Sequence, residues 1–275
     1  MIRLRLLGEF VVERDGAPVA TTGPTARLLA HLALAAGPVD RSALAARFWP
    51  DAAEPAARAN LRTAVWSLRK ALGEEAVLTT RTAVGLDPAV CWVDVLDVAD
   101  LAVTRPEEAA ALCRGELLGF LNEDWVLTER QEQLRREAAL FDELIGRAQR
   151  AEDYVGAVGW ARRRCALSPL DEPAHCVLLR AMAAAGDRAG AVAAGREFVE
   201  RLRAELGVGP VAATRAALAE LADAPIAPVR GGPGGQAALF GRRRELAVMN
   251  EAWSMARAGR GRVVVLTGEG GIGKT

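Results

Sequence analysis

The chain has 275 residues, half of them apolar, with 35 basic and 35 acidic side chains. That length allows roughly two domains, each able to bury a core, and the balanced charge names no partner for the chain as a whole. No apolar run approaches the ~20 residues of a membrane-spanning helix, so a soluble, cytoplasmic protein with no membrane partner is expected. The four cysteines, Cys91, Cys113, Cys165 and Cys176, form no C-x-x-C pair, and His31 and His175 lie in no metal-ligand spacing. Reduced, buried thiols and no metal site are therefore expected.

In chain order, residues 1–22 read as short strands. Ile2, Leu4 and Leu6 alternate with Arg3 and Arg5, a strand pattern and not an export signal. PTARLLAHLALAAG predicts a helix opened by Pro24 and closed by Gly37. DRSALAARFWPD predicts a shorter one, N-capped by Asp40 and stopped at Pro50. EPAARANLRTAVWSLRKALG predicts a third, ended by Gly73. AVLTTRTAVGLDPAVCWVDV then reads as a β-hairpin around a Gly/Asp/Pro turn.

From about 98 to 223 the pattern is helical, with helices expected near 106–114, 124–150, 154–167, 171–185, 188–205 and 210–223. DYVGAVGWAR at 153–162 recurs as DRAGAVAAGR at 187–196. Asp, Gly, Ala, Val and Arg match at an offset of 34 residues, the period of tetratricopeptide helical hairpins. Such hairpins present a surface and carry no catalytic chemistry of their own. Glu123, Asp124, Glu129 and Arg130 read as a solvated helix face. The segment 224–238, rich in Pro and Gly, reads as a flexible linker.

The third helix carries a signal. Leu61, Val65, Leu68 and Leu72 form a narrow apolar stripe. The remaining surface from Arg58 to Leu72 carries Asn60, Arg58, Arg62, Thr63, Trp66, Ser67, Arg69 and Lys70, with no acidic side chain. Residues 1–82 hold 11 basic and 8 acidic side chains, so the positive charge concentrates on this helix. Basic groups on one face suit a phosphate backbone, because neutralising phosphates releases counterions. Small polar groups between them can approach base edges. An ordinary solvated arginine face is the alternative reading.

Strands, three helices with the basic one third, then a hairpin, together resemble the winged helix-turn-helix of OmpR-type response regulators. LRLLGEFVVERDGAPV, RLLAHLALAAGPVDRSALAARFWPD and ARANLRTAVWSLRKALG resemble the N-terminal domain of SARP-type antibiotic regulatory activators. RGELLGFLNEDWVLTERQEQLRREAA, the repeat region and LRAELGVGP resemble the bacterial transcriptional activator domain of that family. FGRRRELAVMNEAW with the C-terminal GEGGIGKT resembles the start of a STAND/AAA-type ATPase domain. The resemblance implies a mainly α chain with four parts. These are a winged-helix domain (1–97), a tetratricopeptide-like activator domain (98–223), the linker (224–238) and a truncated α/β P-loop segment (239–275).

By the same resemblance, Arg62, Thr63 and Ser67 would read bases, while Arg58, Arg69 and Lys70 would hold phosphates. Trp49 would anchor the preceding helix, and Arg81 would be a wing residue reaching a minor groove. Trp66 would contact phosphates or, by preference, pack on a neighbouring domain. A dimer on direct repeats, engaging RNA polymerase and regulating secondary metabolism, is implied.

The last eight residues fit G-x-x-x-x-G-K-T, entered by a strand from Val263 to Leu266. Gly268, Gly271 and Gly273 would let backbone N–H groups converge on phosphates, Lys274 would reach the β/γ-phosphates and Thr275 would ligate Mg²⁺. The helix that completes such a cradle and the downstream acidic residue do not follow Thr275. The expectation is therefore no enzyme and no cofactor in this form, with ATP and Mg²⁺ implied for a longer parent. A DNA-binding activator is the leading expectation. A P-loop signalling ATPase regulator with an N-terminal interaction module, and a pure helical scaffold, are the alternatives.

Overall fold

The structure is a computed structural model, and it describes residues 1–35 and 37–223. The expected linker and P-loop segment, including Gly268, Gly271, Gly273, Lys274 and Thr275, lie outside the described residues. A winged helix-turn-helix comes first and an all-helical region follows it.

Strands β1 (Ile2–Arg5), β2 (Val11–Arg14) and β3 (Ala17–Pro18) pair antiparallel in sequence order. Ile2, Leu4 and Leu6 all point into the core, as their alternation requires. Helix α1 spans Gly23–Leu34, with Pro24 in its first turn, where the missing N–H leaves no bond unmade. It ends three residues short of the expected Gly37.

A two-residue strand β4 (Val39–Asp40) precedes α2 (Arg41–Phe48). The Asp40 carboxylate accepts from the Ser42 and Ala43 N–H groups at 2.8 and 3.0 Å, a side-chain cap worth about 1 kcal/mol. Helix α3 (Glu54–Leu72) stops at Gly73, whose φ of 106° a side chain rarely adopts.

The hairpin differs from its expected form. Strands β5 (Val77–Thr79) and β6 (Ala83–Leu86) turn at Thr80–Thr82, and Gly85 lies inside β6. The Gly/Asp/Pro stretch instead leads into β7 (Cys91–Val93), which joins the other sheet, parallel to β1. A second difference follows at once. Asp94–Thr104 forms helix α4, which starts inside the stretch expected to end the hairpin at Val95 and precedes the first helix expected, near 106. The buried Asp94 carboxylate accepts from the N–H groups of Leu6, Leu7 and Val95 at 2.8–3.1 Å, fixing the start of α4 against the end of β1.

The helical region holds α5 (Pro106–Leu112), α6 (Asp124–Arg150), α7 (Tyr154–Leu167), α8 (Glu172–Ala184), α9 (Arg188–Leu206) and α10 (Ala212–Asp223). The repeated Asp and Gly have one cause. Asp153 caps α7 by accepting from Gly156 N–H, and Asp187 caps α9 by accepting from Gly190 N–H, both at 2.9 Å. Each carboxylate folds over the space that a Cβ on its glycine would fill. The repeated Ala157 and Ala191 are fully buried, where one helix lies close on the next.

One continuous core joins the two regions. It runs from Ile2, Leu4 and Leu6 through Leu28, Leu44 and Leu68 to Leu140, Phe141 and Leu144 of α6. The neighbouring Ile145 faces a second cluster with Leu178, Leu179 and Met182. Backbone bonds tie the segment before α6 to β1, Gly8 N–H to Glu116 and Leu118 N–H to Leu6, at 3.0 and 2.8 Å.

Arg130 belongs to this junction and not to a solvated face. Only 11% of its side chain is exposed, and it pairs with Glu116 at 3.0 Å. Its guanidinium donates to the carbonyls of Leu117, Leu118 and Leu121. Glu123 likewise pairs with Arg27 of α1 and accepts from the Trp125 indole. The Trp125 ring lies 4.9 Å from His31 and 6.3 Å from Phe48, edge to face. Burial and the Arg47 charge hold His31 below the usual histidine range.

Candidate nucleic-acid interface

Arg58, Arg62, Trp66 and Lys70 run along the outer face of α3 in steps of four, and all four are exposed. At 3.6 residues per turn, such positions lie nearly in line. The opposite face buries Ala57, Leu61, Ala64, Val65, Leu68 and Leu72. This seam sets the rotation of α3 about its axis, so the basic row cannot turn inward without exposing it. Thr63 is exposed beside the row and Ser67 is half-buried. The Thr63 hydroxyl donates to the Ala59 carbonyl at 3.2 Å.

The face is less uniformly positive than the stretch Arg58–Leu72 implies. Glu54, one turn before Arg58, pairs with it at 2.5 Å. Glu74, just past the helix end, pairs with the half-buried Arg69 at 3.2 Å. Both acids are exposed, and surface pairs of this kind contribute little and exchange readily. Arg62 and Lys70 have no ion pair among the described residues. The Lys70 ammonium lies 5.3 Å from the centroid of the Trp66 ring. Trp66 itself is 62% exposed, so the expected packing on a neighbouring domain does not occur among the described residues.

The wing stands beside this helix. At its turn the Thr80 hydroxyl accepts from Thr82 and Ala83 N–H at 3.3 and 2.9 Å, and Arg81 is exposed at the tip. Arg41, the first residue of α2, donates from its backbone to Thr82 at 2.7 Å and from Nε to Thr80 at 3.0 Å. The pairing of β4 with β6, Val39 with Val84 and Asp40 with Ala83, brings these elements together. A cleft of about 480 Å³ results, lined by Arg41, Ser42, Arg58, Arg62 and Arg81, with Asp40 as the acid. The sequence reading missed Arg41 and Ser42, because only the β4–β6 pairing carries the start of α2 to the wing. Trp49 ends α2, half-buried against the core, with its ring 6.2 Å from Phe48. It does not line this cleft but an adjoining one, with Ala45 and Ala57, and the two clefts share Ser42 and Arg58.

The basic lining of the cleft, Arg41, Arg58, Arg62 and Arg81, suits a polyanion. No group of three or more His, Cys, Asp or Glu side chains could hold a metal among the described residues. All four cysteines are buried, and burial pushes the Cys91 and Cys165 thiols up to about 11 and Cys113 to about 12, so these three stay as thiols near neutrality. No helix among the described residues is long and apolar enough to cross a membrane.

Comparison with curated proteins gives no significant match. Among solved structures, the fold resembles that of Mycobacterium tuberculosis EmbR, solved in complex with a low affinity phosphopeptide, with a TM-score of 0.54 and 22% identity over 80% of this chain. At that identity the likeness is one of fold, and this chain spans 64% of the length of the EmbR chain. Residues 97–222, most of the helical region, match the family described as the bacterial transcriptional activator domain.

Proposed function

We propose that the protein is a sequence-specific DNA-binding transcriptional activator of the SARP type. One observation carries the reading. A buried leucine seam holds an outward row of Arg58, Arg62, Trp66 and Lys70 beside a wing tipped by Arg81. Helix α3 lies in the major groove. Arg62, Thr63 and Ser67 face base edges, and Lys70 and Arg58 hold phosphates, Arg58 exchanging Glu54 for a phosphate oxygen. Arg69 contributes only as its pair with Glu74 opens. Arg81 reaches the flanking minor groove, and Arg41 fixes the wing against α2. The match of residues 97–222 supports the activator part of the reading.

The protein binds direct repeats near promoters as a dimer, engages RNA polymerase and regulates a secondary-metabolism pathway. The loop at Gly268–Thr275, outside the described residues, has the glycines, lysine and threonine that would hold a nucleotide's phosphates and Mg²⁺. The test is binding to duplexes selected from genomic fragments, measured over a salt series. The log–log slope falls by about 0.9 for each phosphate contacted, and replacing Lys70 with Ala makes it shallower by about 1. Affinity that ignores salt, or a footprint over a single half-site at saturating protein, overturns the proposal.

A further inference from the structure

A cleft of about 390 Å³ lies in the helical region, between the Cys113–Leu117 segment, α6 and α7. Leu117, Leu134, Phe141 and Leu167 make its walls apolar. Two polar side chains line it while almost wholly buried, Gln133 at 3% and Glu137 at 4% exposure. Gln133 Nε2 donates to Glu137 Oε1 at 3.0 Å. The other end of that carboxamide, Oε1, has no partner among the described residues. A buried acceptor left unpaired costs about 1–3 kcal/mol, and native proteins keep few such groups without a reason.

The neighbouring groups do not supply the missing donor. Arg163 gives its guanidinium to the carbonyls of Ala110 and Cys113 at 2.7 and 2.9 Å, and it lies over the Phe141 ring at 4.6 Å. Arg130 is held by the carbonyls of Leu117, Leu118 and Leu121. Arg130 and Arg163 disfavour a cation there, and Glu116 and Glu137 disfavour an anion.

We propose that this cleft binds a small, neutral, hydrophobic molecule bearing one hydroxyl group, which donates to Gln133 Oε1 while its apolar body rests on Leu134, Phe141 and Leu167. An apolar pocket with a few convergent polar groups is the usual form of such a site. The site stands apart from the DNA-binding face, and the proposal does not depend on that reading.

The test uses the whole chain and three probes, 4-butylphenol, its methyl ether 4-butylanisole, and 4-butylbenzylamine, followed by saturation-transfer NMR and calorimetry. The phenol binds saturably, the ether binds at least tenfold more weakly, and the amine does not bind. Gln133→Leu weakens the phenol at least tenfold and leaves the ether unchanged. Ala166→Trp, at the exposed rim, abolishes phenol binding. If Gln133→Leu fails to fold, the phenol-to-ether ratio and Ala166→Trp decide. The proposal is overturned by a phenol that does not saturate or that binds no better than the ether or the amine. Unchanged phenol binding by Ala166→Trp also overturns it.

Discussion

Helices α3 and α9 are each 19 residues long and each carries four basic side chains. They differ in what those charges meet. In α9, Glu197, Glu200 and Glu205 interleave with the arginines. Arg201 pairs with Glu197 at 3.0 Å, and Arg188 donates to the carbonyls of Glu220 and Leu221. Arg188 and Arg201 serve the fold of α9 and α10, while Arg196 and Arg203 have no ion pair among the described residues but stand among the three glutamates of the same helix. In α3 the acids stand at or past the ends, as Glu54 and Glu74, and Arg62 and Lys70 between them have no ion pair among the described residues. The number of arginines on a helix is therefore a poor guide to binding. Where the acids sit relative to them is a better one.

Breaking the buried side of each helix gives the largest effect. Phe198→Ala in α9 should cost about 3–5 kcal/mol and Leu68→Ala in α3 about 2–5 kcal/mol, since both side chains are fully buried. Because α6 belongs to both cores, urea unfolding followed by circular dichroism and by tryptophan fluorescence should give one coincident transition in each variant. Two separated transitions would show that the regions melt independently.

The exposed sides should differ in kind. Arg62→Ala should weaken DNA binding by about 1–3 kcal/mol if it reads a base, with no loss of stability. Arg196→Ala, equally exposed on α9, should leave binding unchanged. Equal effects in a gel-shift titration would remove the distinction between the helices.

The smallest effect concerns pH. His175 of α8 stacks on Phe198 at 3.7 Å, and its Nε2 lies 3.0 Å from the Pro169 carbonyl. Burial holds its folded-state value below the ordinary 6.5. The unfolded chain then binds the proton first, so folding stability is lost as pH falls from 6.5 through the lowered folded value. His175→Gln cannot bind that proton. The stability gap between wild type and variant should narrow as pH drops from 7.5 to about 5.5 in paired urea titrations. A gap that stays constant would remove the histidine from the pH response.

Much was written locally. The alternation of Ile2, Leu4 and Leu6, the Asp40 cap, the leucine seam of α3 with its stop at Gly73, and the Asp–Gly caps of the repeat all depend on neighbours a few residues apart. Propensity, periodicity and capping read such features directly. The outward face of Arg62, Thr63 and Lys70 follows, because a seam that must be buried fixes what stays outside.

Long-range contact decided the rest. The return of β7 to β1, the helix begun by Asp94 against Leu6 and Leu7, the placing of Arg41 against the wing, and the withdrawal of Arg130 into the junction all join residues distant in sequence. So does the meeting of Gln133, Glu137 and Leu117 around one cleft. A single sequence holds the side chains for these contacts but not the pairing. Which partner a buried polar group finds depends on the whole packed chain, and no local rule contains that information.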